Sequence, residues 1–112
     1  MSVRHVKEYY EQVAEQYQDM LNEIKDFEDL AMREMFDPDR LEQIKESIQP
    51  MLRNYETLSY IMYLLNKPNR DNKAKKYEKQ YAKQVSKLDP STTKDGVIAT
   101  NNSVLNNLKN NA

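Results

Sequence analysis

Apolar residues follow one another at alternating steps of three and four from Val3 to Ala31, and this seam limits the fold more than any other feature of the chain. Such spacing places every member on one side of an α-helix, and its persistence predicts a partner helix along the stripe. Acidic residues avoid the seam, as a face turned to water requires. The sequence therefore predicts a helix over 3–36. This first seam consists of Val3, Val6, Tyr10, Val13, Tyr17, Met20, Ile24, Phe27 and Ala31.

The segment "MFDPDRL" predicts a short turn and the start of a second helix. Asp37 suits the N-cap position, and Pro38 suits the first helical position, where a missing N–H costs nothing. Phe36 and Leu41 have the spacing of a hydrophobic staple, which fixes the angle at which the chain enters the helix. A connection this short makes the two helices run antiparallel.

A second heptad seam predicts one helix over 38–66, and its members are Leu41, Ile44, Ile48, Met51, Tyr55, Leu58, Met62 and Leu65. Pro50 interrupts this pattern because its ring clashes with the carbonyl of Glu46. Both residues face away from the seam, so the sequence predicts a kink at Pro50 and not the end of the helix.

The remainder of the chain predicts a third helix over 71–88 and a tail. The apolar stripe of this helix is thin and consists of Ala74, Tyr77, Tyr81, Val85 and Leu88. Residues 91–112 read as a loop followed by an asparagine-rich docking tail, in which one short helix can form if it finds a surface. Residues 1–90 then form a single helical domain.

The fold class follows from these patterns together with the near absence of glycine. One glycine in 112 residues cannot supply the tight turns of a β-rich domain or the phosphate loop of a dinucleotide-binding domain. We predict an all-α protein: a long, coiled-coil-like antiparallel helical hairpin, a third basic helix and a short C-terminal helix or tail.

The end of the second helix is apolar on nearly every side, which one buried stripe does not explain. In one interpretation, the third helix and the tail fold back to cover it. In the other, it binds a partner or a second copy. The candidate partner-binding residues are Leu58, Tyr60, Ile61, Tyr63, Leu64 and Leu65.

Charge is divided along the chain although the total is only −1. Residues 8–42 hold twelve acidic and three basic side chains, a net charge of −9, whereas residues 67–88 have a net charge of +6. The basic helix can therefore lie against the acidic first helix, in the same molecule or in a neighbouring copy. Exposed ion pairs would then set orientation more than stability.

The basic helix also permits a nucleic-acid interpretation, because Lys75, Lys79, Lys83 and Lys87 form one stripe. Lysines along a phosphate backbone give salt-sensitive affinity, and tyrosines can stack on unpaired bases. Lysine without arginine reads bases poorly, and both tyrosines also fall on the apolar stripe. The candidate residues of this alternative are Lys73, Lys75, Lys76, Lys79, Lys83, Lys87, Tyr77 and Tyr81.

Groups for catalysis are scarce, which predicts that the protein is not an enzyme. His5 is the only histidine, there is no cysteine, and the Glu-x-x-His pairs of a helical di-metal site are absent. We therefore expect no metal, no cofactor and no small-molecule substrate.

The leading interpretation is a non-enzymatic helical interaction or assembly protein that binds a protein partner or itself through the heptad seams and the apolar 58–65 segment. Its composition would suit a phage-type accessory or structural component. The alternative is a nucleic-acid-binding accessory protein. A more distant interpretation is a regulator that inserts a helix into a groove of a larger enzyme.

No stretch has the length of a membrane span and no secretory signal follows Met1. The expected location is the cytoplasm, or the virion for a phage protein.

Overall fold

The structure, a computed structural model, describes residues 2–66 and 74–110, with the backbone alone for 74–77. This part of the chain forms five helices and contains no strand, which confirms the all-α class. The helices are α1 (Val3–Met32), α2 (Pro38–Ser47), α3 (Gln49–Asn66), α4 (Ala74–Lys87) and α5 (Lys94–Asn110).

Helix α1 extends through the predicted first seam but ends at Met32, four residues before the expected end. Its last turn closes with the Met35 N–H donating to the carbonyl of Leu30 (2.8 Å) and the Glu34 N–H donating to that of Ala31 (3.1 Å). This is the Schellman arrangement, and it places Glu34 at φ 60°, a left-handed position usually occupied by glycine. The backbone reversal therefore begins before the predicted turn.

The predicted turn chemistry is confirmed. The Asp37 carboxylate accepts from the Asp39 N–H at 2.9 Å, and Pro38 is the first residue of α2. Phe36 and Leu41 are both buried in the same core, and the Phe36 ring packs edge-to-face on Phe27 with a centroid distance of 5.2 Å. These contacts bring α2 back along α1.

The second predicted helix is divided, and it differs in this from the single kinked helix expected over 38–66. Helix α2 ends at Ser47, the Ile48 N–H donates to the carbonyl of Lys45 (3.3 Å), and α3 begins at Gln49. The break places Pro50 in the first turn of a new helix, where the absence of an N–H leaves no hydrogen bond unmade.

The division also turns the buried face of the second half. Asn54, Leu58, Ile61 and Leu64 are the buried residues of α3, whereas Met51, Tyr55 and Met62 of the predicted seam lie at its half-buried margin. Helix α3 packs against α1 on one side and against α4 on the other.

The asparagine-rich tail forms a helix longer than expected. Helix α5 packs on α1 and α2 through Val97, Val104 and Leu108, which are all buried. The Thr93 hydroxyl caps its start by accepting from the Gly96 N–H at 3.1 Å. Packing thus stabilises a helix that contains many residues of low helix propensity.

A buried polar cluster centred on Asn54 joins the helices, and we call it the Asn54 hub. The Asn54 amide nitrogen lies 3.1 Å from the Tyr9 hydroxyl, 3.2 Å from the Tyr17 hydroxyl and 3.0 Å from the Asp89 carbonyl. Its carbonyl oxygen accepts from the Asp89 N–H at 2.7 Å. The Tyr9 hydroxyl donates to the carbonyl of Thr92 at 2.7 Å. The hub therefore fixes α1, α3 and the α4–α5 connection to one another.

The hub makes stability sensitive to alkaline pH. Burial, reinforced by the neighbouring Tyr17, raises the pKa of Tyr9 to about 12, and burial likewise raises the pKa of Tyr17. An unfolded tyrosine ionises near pH 10, so the folded chain then binds more protons than the unfolded one. The hub's contribution is therefore complete below pH ~10 and is lost as the pH rises towards about 12.

Urea unfolding over this pH range tests the assignment. We expect the free energy of unfolding to fall by on the order of 2 kcal/mol from Tyr9 alone. Tyr9→Phe is expected to lower stability at neutral pH and to flatten the alkaline decline, whereas Tyr63→Phe on the surface is expected to leave the profile as in the wild type. An equally steep decline in the Tyr9→Phe protein would show that Tyr9 is not the titrating group.

Candidate interaction surface

The structure buries most of the six candidate partner-binding residues and leaves two of them exposed. Leu58 and Ile61 are fully buried and Leu64 is 7% exposed, while Leu65 is half-buried. Only Tyr60 and Tyr63 are exposed, at 37% and 54%. Intramolecular packing thus accounts for most of the apolar side chains that the sequence left without a partner.

The two exposed tyrosines form an ordered pair at the seam between α3 and α4. Their ring centroids are 6.1 Å apart and their planes differ by 26°. The Tyr60 hydroxyl lies 3.4 Å from the Gln80 amide oxygen of α4, the outer limit for a hydrogen bond. The rings therefore present a shared aromatic surface beside the basic helix.

Helix α4 packs on α3 and turns its lysines to solvent. Tyr81 and Val85 are half-buried against the core and Leu88 is buried. Tyr81 packs against the core, which accounts for this tyrosine, and its burial raises the pKa of the phenol. Lys73, and the side chains of Lys75, Lys76 and Tyr77, lie outside the described part of the chain.

Lys79, Lys83 and Lys87 recur every four residues along the exposed side of α4, and we call them the lysine row. Among the residues that the structure describes, none of these lysines forms an ion pair. Gln80, which lies near the Tyr60 hydroxyl, is next to Lys79 and one turn before Lys83, so this end of the row lies close to the tyrosine pair. We call Tyr60, Tyr63 and the lysine row together the tyrosine–lysine face.

The acidic charge lies elsewhere in the molecule, on the outer side of α1. Because α4 packs on α3, no ion pair joins α1 to α4 within residues 2–66 and 78–110. The prediction that the basic helix lies against the acidic helix of the same molecule is thus wrong for the described helices. The exposed carboxylates of α1 are Glu8, Glu11, Glu15, Asp19, Asp26 and Asp29.

Two adjoining grooves lie between the α2–α3 junction and α5, with volumes of about 260 Å³ and 370 Å³. Ser47, Ile48 and Thr100 line both. Asp89 is their one acidic group. Its carboxylate accepts hydrogen bonds from the Ser91 hydroxyl and from the Ser91 N–H (3.0 Å), and these bonds, the hydroxyl foremost, lower its pKa. In the described residues no three His, Cys, Asp or Glu side chains come together as a metal site.

Two residues of the structure, Asn54 and Gln80, have roles that the sequence pattern does not indicate. Asn54 lies in a heptad helix next to seam residue Tyr55, and a pattern of apolar residues does not register a buried amide. Gln80 belongs to the outer side of a lysine-rich helix, and its contact with Tyr60 depends on the register between α3 and α4. In the sequence, Asp89 and Pro90 indicate a loop after Leu88. They do not indicate that the backbone of this loop is hydrogen-bonded to Asn54.

The fold and the surface together define a small all-α helical bundle with an exposed aromatic and basic face. Comparison with protein-family models, curated proteins and solved structures finds no match to this chain. None of the helices in the described ranges is both long enough and apolar enough to cross a bilayer.

Proposed function

We propose that the protein is a non-enzymatic interaction or assembly protein that binds a protein partner, or a second copy of itself, through the tyrosine–lysine face. The observation that supports this most is the exposed Tyr60–Tyr63 pair close to a row of three lysines that form no ion pair among the described residues. Tyrosine is enriched at protein interfaces because its rigid ring buries a large area while its hydroxyl remains hydrogen-bonded.

The face combines two contributions that an interaction surface needs. The ring pair offers apolar area at low entropic cost, since the two rings already lie in contact with each other and the Tyr60 hydroxyl lies near Gln80. The lysine row attracts an acidic partner and accelerates the encounter, an effect that salt weakens. We place this activity in the cytoplasm, or in the virion if the chain is a phage component.

A photo-crosslinking residue introduced at position 63, in the cells that make the protein, tests the proposal. We expect adducts of discrete mass from position 63 and none from position 106, an exposed Asn of α5 that serves as the control. Adding Tyr60→Ser to the position-63 protein is expected to reduce the yield because it removes half of the ring pair. Equal adducts from both positions, or none from either, would refute a specific face.

A nucleic-acid-binding accessory protein is the second candidate, and the exposed ring pair favours it in a modified form. Bases can stack on Tyr60 and Tyr63 while the lysine row contacts phosphates, so that Tyr81 is not needed for stacking. Titration with single- and double-stranded DNA and RNA across salt concentrations distinguishes the two. Binding at low salt that disappears when the lysine row is replaced by alanine supports the second candidate.

A further inference from the structure

We propose that the partner of the tyrosine–lysine face is α1 of a second copy of this chain, through an acidic row formed by Glu11, Glu15 and Asp19. This inference rests on the proposed function and specifies its partner. All three carboxylates are exposed and recur every four residues, as do the three lysines of the lysine row. Charge complementarity between two exposed rows of one chain is the observation that carries the inference.

The two rows match in length as well as in sign. Four residues rise ~6 Å along an α-helix, so each row spans ~12 Å from its first member to its last. Rows of this spacing are inclined by about 26° to the helix axis, and two of them run side by side when the helices cross at about 50°. Each lysine can then face one carboxylate without a change in either backbone.

Neither row is engaged by ion pairs within the described part of the molecule. None of the six side chains forms an ion pair among the described residues, whereas the neighbouring Glu8 is paired with Arg4 at 3.0 Å. Bringing α4 onto α1 of the same copy would require α4 to leave α3 and would expose Val85 and Leu88. A second copy provides the acidic row at no such cost.

Charge decides the arrangement of the copies, while the rings contribute area. Exposed ion pairs are individually weak, so the association is expected to be weak and sensitive to salt. Contacts of α1 with α1, or of α4 with α4, place like charges together and are disfavoured. Because the two rows are different patches, reciprocal contacts around a two-fold axis close a dimer, and a single contact extends into a chain of copies.

Sedimentation velocity of the full chain at about 0.02 M and about 0.5 M salt tests the inference. We expect a mass above the 13.3 kDa of the monomer at low salt and the monomer mass at high salt. A basic-row variant (Lys79→Glu, Lys83→Glu, Lys87→Glu) and an acidic-row variant (Glu11→Lys, Glu15→Lys, Asp19→Lys) are each expected to remain monomeric at low salt. An equal mixture of the two variants is expected to associate, because each then supplies the row that the other has lost.

A matched control separates the acidic row from net charge. Asp26→Lys, Asp29→Lys and Glu46→Lys together change the net charge as much as the acidic-row variant does, at exposed positions outside the row. This control is expected to keep the association of the wild type. Circular dichroism confirms that each variant is folded, and recovery in the mixture excludes misfolding as the cause of any loss.

Three outcomes would overturn the inference: a monomeric wild type at low salt, association that survives reversal of either row, or variants that do not recombine. Its failure is distinguishable from failure of the proposed function. Adducts at position 63 that have a mass other than twice that of the chain would reject the second copy and keep the face. A monomeric protein without such adducts would reject both, and oligonucleotide binding by the monomer would favour the second candidate.

Discussion

Replacing Asn54 with alanine is expected to lower the free energy of unfolding by about 2–4 kcal/mol. The substitution removes a side chain that contacts the Asp89 N–H and the Tyr9 and Tyr17 hydroxyls together. These groups then remain buried without the same partners, and a cavity adds to the cost. Chemical denaturation measures the loss, which for a domain of this size corresponds to roughly 8–20 °C in Tm.

The exposed Asn102→Ala change in α5 serves as the control for Asn54→Ala. Alanine has the higher helix propensity, so this variant is expected to be unchanged or slightly more stable. Asn54→Asp adds a second comparison, because it keeps the acceptor for the Asp89 N–H but loses the amide donor and buries a charge. A stability for Asn54→Ala within about 0.5 kcal/mol of the wild type would contradict a structural role for the hub.

Leu58→Ala is expected to destabilise the protein by about 2–5 kcal/mol without affecting the tyrosine–lysine face directly. Leu58 has no exposed surface and belongs to the common core, where truncation leaves a cavity. The total stability of such a domain is about 5–15 kcal/mol, so a large share depends on this one residue. Thermal and urea unfolding give the value.

Tyr63→Ala is the matched comparison on the same helix. With 54% of its surface exposed, Tyr63 is expected to cost less than about 1 kcal/mol in stability while weakening association. The opposite ranking, with Tyr63 dominating stability and Leu58 dominating association, would show that α3 is rotated relative to the arrangement described here.

Helix positions were accessible from the sequence because each has a local cause. The alternating seam predicted α1, and the Asp37–Pro38 cap predicted the turn to within the residues observed. The break at Ile48 was not accessible, because a proline inside a periodic pattern permits both a kinked helix and a new first turn. In the structure α3 packs against both α1 and α4, and such long-range contacts are not encoded in the local pattern around Pro50.

The buried face of α3 could not be predicted for the same reason. A seam identifies the side of a helix that is apolar, but α3 is apolar on several sides, and after the break at Ile48 it buries Ile61 while Met62 is only half-buried. In α1, the predicted seam contains Tyr10, but the preceding Tyr9 is the buried one of the two, and Tyr10 is half-buried. The hub gives Tyr9 the polar partners that a buried hydroxyl requires.

The candidate surface was predictable in composition and not in arrangement. Exposure of the lysine row follows from its period, since charged residues avoid an apolar stripe. The position of that row near Tyr60 depends on the contact between α3 and α4. The apolar stripe of α4 is too thin to show from the sequence which helix it packs against. The size and position of α5 were likewise set by the surface of α1 and α2, against the low helix propensity of its asparagines.

The hub has a consequence for the lifetime of the native state. Its hydrogen bonds join Asn54 to residues 35–45 positions away and Tyr9 to residues 80 and 83 positions away, so they form only after distant segments of the chain have met. Contacts made late in folding act mainly on the rate of unfolding. Loss of Asn54 is therefore expected to accelerate unfolding, which the unfolding limb of a chevron plot would show. The refolding rate is expected to stay nearly unchanged. Kinetic persistence of this bundle then depends on one buried amide.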